Sequence, residues 1–292
     1  MPPWRLAFNR NYGIYCYLVK TNAILEKAEL YSKAFFVAQK DRSYRSAQHI
    51  VPLIRQIAPI HSVCDVGCGL GMWLRVFVEA GVEDIVGVDG HFVNDDSLVI
   101  PVSNFHRADL REPFHLDRCF DLAISIEVAE HLPERRSTSF VEDLTRLAPL
   151  VLFSAAIPRQ GGTNHINEQW QSYWAAIFAK YDFDACDVLR PLIWNNAEIA
   201  RWYRQNIILF CRHDFLQNVP GLPAGIGNAL PLSVVHPQQY TEIWNEVNVR
   251  GSLQLLARAL GRHVLRTVQK FPLAVRNAFG IRKADPMRAN PR

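Results

Sequence analysis

No CxxC pair occurs among the six cysteines, Cys16, Cys64, Cys68, Cys119, Cys186 and Cys211. They read as reduced, mostly buried thiols of a cytosolic protein, and no metal site is expected of them. No run of about twenty apolar residues is present, which excludes a transmembrane helix. The opening MPPWRLAFNRNYGIYCYLVK is broken by Arg5, Arg10 and Lys20 and lacks an apolar core with a cleavage site, so no signal peptide is expected. No internal repeat is visible. Acids are scarce at the far end: residues 250–292 hold ten Lys/Arg against the single Asp285, a net +9 that leaves the rest at −5 within a whole-chain +4. A mildly acidic body thus carries a basic tail, and the body's charge disfavours a nucleic-acid substrate. What the chain does have is 49% hydrophobic and 21% charged residues over 292 positions, a balance that argues against wholesale disorder and fits one large α/β domain with extensions.

The pattern along the chain sets out that domain. Residues 1–45 are aromatic-rich and read as a helical extension. In 46–58 (SAQHIVPLIRQIA), Ile50, Leu53, Ile54 and Ile57 fall at helical spacing. From residue 62 short apolar strands alternate with helices. SVCDVG, DIVGVDG, NFHRADL, CFDLAISIE, PLVLFSAAI, FDACDVLR and QNIILFCR read as seven strands. GMWLRVFVEAG, RSTSFVEDLTRLA, the long NEQWQSYWAAIFAKY and NAEIARWYR read as helices. Such alternation implies βαβ units and a mainly parallel sheet. The expected divisions are a domain over 46–212, a Pro/Gly-rich loop or linker over 213–249, and a basic tail over 250–292.

Within the first strand and turn, VCDVGCGLG places Gly67, Gly69 and Gly71 directly after a buried run. Glycine tolerates the positive φ of a tight strand-to-helix turn and lets a ligand approach the backbone. The N–H groups at the start of the following helix are free to meet polar groups. Asp89 ends the second strand 22 positions beyond Gly67, where a carboxylate can accept hydrogen bonds from ribose hydroxyls. Position 72 is Met, so the G-x-G-x-x-G of dinucleotide binders is not completed, which speaks against a nicotinamide-dependent oxidoreductase. Asp109 ends the third strand, where it either binds an adenine amine or caps a turn. Asp65 suits a cationic or amino-bearing ligand better than a pyrophosphate, since it would repel an anion.

VCDVGCGLG, IVGVDG, RADL and FDLAISIEVAEHLP together resemble class I S-adenosylmethionine-dependent methyltransferases over about residues 45–212. That resemblance implies a Rossmann-like seven-stranded, mostly parallel sheet with its last strand antiparallel, QNIILFCR, and helices on both faces. It implies S-adenosyl-L-methionine as cofactor, with Gly67, Gly69 and Gly71 under the methionine and ribose. Asp65 would support the amino group, Asp89 the ribose hydroxyls, and Asp109 with the Leu110 backbone the adenine. Glu127 would lie near the sulfonium and the substrate mouth, or else be a helix-capping or solvated acid. His131, in the common EHLP, is either a structural histidine or a base.

The loop after strand five, SAAIPRQGGTNHINEQWQSYW, resembles bacterial methyltransferases with a P-x-Q-G-G-T-x-H-x-N-E-Q pattern. This points to a small-molecule or glycan acceptor. A hydroxyl acceptor must lose a proton, and His165 is the candidate base. The alternative is that His165 and Asn167 pin the loop while Glu168 caps the next helix. Trp170, Tyr173 and Trp174 are either core or a sugar-stacking platform. No Asn/Asp-Pro-Pro-Tyr/Phe stretch follows strand four, where IEVA stands instead. Residues 251–271 set Leu256, Leu260, Val264 and Val268 opposite Arg258, Arg262, Arg266 and Lys270 on a helix, which either docks on the domain or touches an anionic membrane surface peripherally. The rival class is a non-catalytic scaffold acting through that tail.

Overall fold

A computed structural model of the chain describes residues 33–216, 222 and 232–245. Seven strands form one sheet: β1 (Ser62–Val66), β2 (Asp84–Asp89), β3 (Phe105–Arg107), β4 (Leu122–Ile126), β5 (Leu150–Ser154), β6 (Phe183–Cys186) and β7 (Ile208–Arg212). Their order is β3-β2-β1-β4-β5-β7-β6. Neighbours from β3 to β5 are parallel. β7 runs antiparallel to both β5 and β6. This is the Rossmann-like sheet with its last strand reversed.

The alternation of side chains along a strand decides which layer each residue joins. Val63, Leu122, Leu150, Leu152 and Leu209 face one buried cluster, and Cys64, Ala123, Val151, Phe153 and Phe210 face another. Both sides are therefore apolar, as a sheet covered on two faces requires. α1 (Lys33–Ile57) and α2 (Met72–Glu79) cover the first face through Ile50, Ile54, Leu74 and Phe77. α3 (Ser137–Leu147) and α4 (Gln171–Phe178) cover the second through Phe140, Leu144, Trp174 and Phe178. Phe178 stacks on Phe210 at 3.9 Å, and Phe153 meets Trp174 at 5.1 Å. Three short helices follow: α5 (Arg190–Ile193), α6 (Arg201–Asn206) and α7 (His213–Leu216).

Several expected boundaries move. The division at 45/46 falls inside α1, which runs unbroken from Lys33 to Ile57. The helix expected from Asn167 begins only at Gln171, because Asn167 is buried and spends its side chain on the Ala129 carbonyl and Ser137 Oγ. The aromatics divide: Trp174 is 2% exposed and is core, Tyr173 packs against it, and Trp170 is 42% exposed. The stretch read as a loop from residue 213 opens with the helical turn α7.

The chain forms two compact units, Met1–His236 and Pro237–Arg292. Of the second, a helix over 237–245 is described, with Tyr240 and Trp244 stacked at 6.5 Å. The N-terminal extension before residue 33 and the basic helix over 251–271 lie outside the described residues. No described helix is long and apolar enough to cross a membrane. Cys64, Cys68, Cys186 and Cys211 are buried free thiols, and Cys119 is free and exposed.

Candidate active site

β1 is an interior strand between β2 and β4, and the chain leaves its carboxyl end through the glycine turn into α2. Gly67, Gly69 and Gly71 all have left-handed φ values, 84°, 54° and 86°. The turn is fixed to its neighbour strand: the Gly67 and Cys68 N–H groups donate to the Val88 carbonyl at 2.7 and 3.2 Å. A Cβ at Gly67 would overlap Val128, so that position needs glycine for space as well as for φ. A Cβ at Gly69 would meet nothing within 4 Å. No side chain caps the first turn of α2.

These elements border a cleft of roughly 620 Å³, partly open to solvent, whose walls include Asp65, Gly67, Gly69, Trp73, Glu127 and Tyr203. Asp65 is buried, and its pKa is pushed well above the usual carboxylate range, first by that burial and then by the charge of Asp89. No hydrogen bond is among the influences on it. A buried carboxylate in this state is complementary to a cation.

Asp89 also has a structural task. Its two oxygens accept the Gly69 and Gly90 N–H groups at 2.7 and 2.6 Å, so it first of all tethers the glycine turn. Each oxygen keeps further acceptor capacity for a ligand hydroxyl. Burial raises its pKa, opposed by the two N–H groups. Asp109 takes up the turn role: its carboxylate accepts the Arg111 N–H at 3.1 Å and pairs with the Arg111 guanidinium. Leu110 is buried, and its carbonyl accepts from Arg136 Nε at 3.1 Å.

Glu127 closes the opposite wall. It does not cap a helix, and its side chain is partly exposed, in the wall of the cleft. Its φ of 55° is left-handed, an uncommon state for a glutamate that surrounding bonds must hold. Its N–H donates to Ser154 O at 3.0 Å, its Oε2 accepts from Gln160 at 2.9 Å and its Oε1 from Asn206 at 3.0 Å. Asn206 and Gln205 also donate to Gln160 Oε1, at 2.8 and 3.3 Å. Burial raises the Glu127 pKa, against the pull of these donors and of His165. Gln160, Gln205 and Asn206 escape the sequence reading. Their traces are the Gln of the P-x-Q-G-G-T pattern, Gln160, and the polar Gln205-Asn206 pair immediately before the apolar run of β7.

His131 and His165 come together edge to face, ring centres 4.9 Å apart. Glu168 does not cap α4. It closes the loop by accepting the Arg159 and Gly161 N–H groups at 2.7 and 2.8 Å and holding His165 Nδ1 at 3.1 Å. The Glu130 carbonyl accepts from Ile166 and Asn167, at 2.9 and 3.0 Å, binding this loop to the turn after β4. A Cβ at Gly162 would overlap the His165 ring, which explains glycine there. Neither histidine borders the cleft. His165 lies within reach of the Glu127 charge.

A methyltransferase-domain family model matches residues 29–184, just over half of the chain. No curated protein matches it. Among solved structures it is similar to DesVI of Streptomyces venezuelae, with 21% identity over 47% of this chain and a TM-score of 0.39; the chain spans 60% of the length of DesVI. It is similar also to SAM-bound CalS10, an amino pentose methyltransferase from Micromonospora echinaspora, with 14% identity over 62% of this chain and 98% of that one and a TM-score of 0.47. The magnesium protoporphyrin IX methyltransferase ChlM from Synechocystis PCC 6803, with bound SAH, shows 18% identity over 65% of this chain and 95% of that one, and a TM-score of 0.46. With the family model covering β1 to β5 and reaching into β6, the chain belongs to the methyltransferase-domain family.

Proposed function

We propose that this enzyme transfers the methyl group of S-adenosylmethionine to an oxygen or nitrogen of a small-molecule or sugar-like acceptor entering beside Glu127. The observation that carries this is the joining, in one cleft, of the buried Asp65 carboxylate, the bare backbone at Gly69 and the Glu127 carboxylate. The cofactor supplies an electrophilic methyl on a sulfonium. Asp65 receives its ammonium group, and Gly67, Gly69 and Gly71 pass beneath its methionine and ribose. Asp89 offers its remaining lone pairs to the ribose hydroxyls, and Leu110 with the Asp109 backbone flanks the adenine. Glu127, held rigidly by Gln160 and Asn206, places negative charge near the sulfonium and the acceptor mouth. Methyl transfer is an in-line displacement, so alignment supplies much of the rate. His165 assists departure of the acceptor proton. In the His165→Ala variant, turnover of a hydroxyl acceptor is expected to fall by about 10²-fold or more. Unchanged turnover would leave His165 with loop pinning alone.

Asp65 gives the sharper test. In the folded protein it holds a proton that the unfolded chain releases above about pH 4. Stability therefore falls as pH rises from there through the raised folded pKa. Asp65→Asn is expected to remove that slope and leave the cofactor-free protein at least as stable. It is also expected to weaken binding of S-adenosylhomocysteine, which keeps the ammonium group, by about 1.5–3 kcal/mol. In wild type, binding is expected to release a proton at pH values below the raised pKa and to tighten as pH rises. Calorimetry in two buffers of different ionisation heat reads both effects. Equal affinity in wild type and Asp65→Asn, with no proton release, would remove Asp65 from the site. Failure of wild type to bind at all would favour a scaffold without catalysis. The acceptor is sought by mass spectrometry of extracts from cells with and without the protein, as a species heavier by one methyl-for-hydrogen replacement.

A further inference from the structure

Glu130 is the most demanding side chain among the described residues. It is 0% exposed, and neither carboxylate oxygen accepts a hydrogen bond. The nearest N–H groups, those of Glu130 and Ala156, lie outside hydrogen-bonding geometry. A buried carboxylate without donors is costly to keep unless something else satisfies it. His131 and His165 stand against it, and one ligand atom from each of the three residues lies within 4.8 Å of the others.

The two imidazoles are oriented alike. His131 Nδ1 meets the Asn164 carbonyl at 3.3 Å, and His165 Nδ1 meets Glu168 Oε1 at 3.1 Å. A carbonyl only accepts, and this carboxylate oxygen already accepts from Gly161, so Nδ1 carries the proton in both rings and each Nε2 keeps a lone pair. An imidazole whose outer nitrogen donates to a carbonyl or carboxylate is the arrangement found when the inner nitrogen binds a metal. The loop that brings His165 is fixed to the turn bearing Glu130 and His131 through Ile166 and Asn167, so the three donors are assembled in advance.

We propose that Glu130, His131 and His165 bind a divalent transition-metal cation, and that the cation takes an oxygen of the acceptor. Two imidazoles and one carboxylate suit zinc, manganese, cobalt or nickel better than calcium or magnesium, which favour oxygen alone. Three protein ligands leave coordination positions free, as in catalytic rather than structural sites. This deepens the methyl-transfer reading of the cleft and rests on it for the acceptor, which it narrows to an oxygen nucleophile. His165 then acts on the acceptor proton through the cation rather than as a free base: a hydroxyl beside the cation loses its proton to solvent more readily than a free one. The oxygen electron pair then forms the O–CH₃ bond. The C–S bond breaks with its pair going to sulfur, and the sulfonium becomes a neutral thioether. The cation keeps its charge throughout.

The test uses the full chain, treated with chelator, dialysed and titrated separately with Mn²⁺, Co²⁺ and Zn²⁺ by calorimetry, with S-adenosylhomocysteine binding measured on the same samples. Wild type is expected to bind one equivalent of at least one of these cations and to gain thermal stability with it. Glu130→Gln and His165→Ala are expected to bind it about 100-fold more weakly or not at all, while still binding S-adenosylhomocysteine. Nitrogen couplings from two imidazoles are expected in the pulsed magnetic-resonance spectrum of Mn²⁺-loaded wild type, a readout that stands even if a variant fails to fold. No stoichiometric cation in wild type, equal affinity in Glu130→Gln, or absence of nitrogen coupling would each overturn the proposal. Those outcomes would leave the cluster a proton-sharing carboxylate and imidazole pair. Cation binding without S-adenosylhomocysteine binding would keep the metal site and instead remove the methyl-transfer reading.

Discussion

Arg136→Ala is expected to lower stability by about 3–5 kcal/mol, because it strands a buried carboxylate. Arg136 and Asp143 form an ion pair with side chains only 3% and 1% exposed. The same guanidinium donates to the Leu110 carbonyl at 3.1 Å, to the Glu112 carbonyl at 3.0 Å and to Ser139 Oγ at 2.8 Å. It also lies over the Phe140 ring at 5.4 Å. Without it, Asp143 keeps only the long contact from the Phe114 N–H, at 3.5 Å, and the distant Arg146, at 3.7 Å, and the chain that leaves β3 loses its anchor to α3. For a domain of this size the loss corresponds to a fall in melting temperature of about 2–4 °C per kcal/mol. The double variant Arg136→Met with Asp143→Leu is expected to recover much of it, since an apolar pair removes both charges. Urea denaturation of wild type, Arg136→Met, Asp143→Leu and the double variant measures the coupling. A loss below about 1 kcal/mol in Arg136→Ala would show the pair to be better solvated than its burial implies.

The second large effect is at the glycine turn. Gly67→Ala combines a left-handed φ, costing about 1–2 kcal/mol for an L side chain, with overlap against Val128, costing about 1–3 kcal/mol more. Gly69→Ala carries the first cost without the second, because its Cβ meets only open space. The pair should therefore separate in stability, with Gly67→Ala the weaker protein by the overlap alone. Equal losses would mean that Val128 moves aside freely and that Gly67 is kept for φ only. Denaturant titration of both variants, without cofactor, gives the answer.

The parts of the fold written in local pattern are legible in the amino-acid sequence alone. β1 and its glycine turn are announced by a short apolar run followed by three glycines at alternate positions, and all three adopt left-handed φ. The reversed β7 is readable from QNIILFCR through its resemblance to the family's last strand. Boundaries set by side chains from elsewhere are not legible. The helix that should begin at Asn167 waits until Gln171, because Asn167 and Glu168 are engaged by Ser137, Arg159 and Gly161. The 45/46 division is likewise not a structural boundary: both sides read as helical, and α1 joins them from Lys33 to Ile57.

In the site the same distinction holds. Asp65, Gly67, Gly69 and Glu127 border one cleft, as their positions at strand ends suggest. Asp109 accepts from the Arg111 backbone and guanidinium, the turn alternative of its reading. The amides gripping Glu127 come from the loop after β5 and from the end of α6. The carboxylate facing His131 and His165 is unsatisfied only because separated segments bury it. Neither arrangement has a period or a spacing to read.

The account depends most on the cleft at Gly69 being the place where the cofactor lies. Calorimetric titration of S-adenosylhomocysteine into wild type and Gly69→Val, each shown to be folded by its denaturation profile, tests this directly. Wild type is expected to bind one equivalent and Gly69→Val to show no heat of binding, since its side chain projects into the open space beside Asp65. Equal binding by both proteins, or none by wild type, would contradict it.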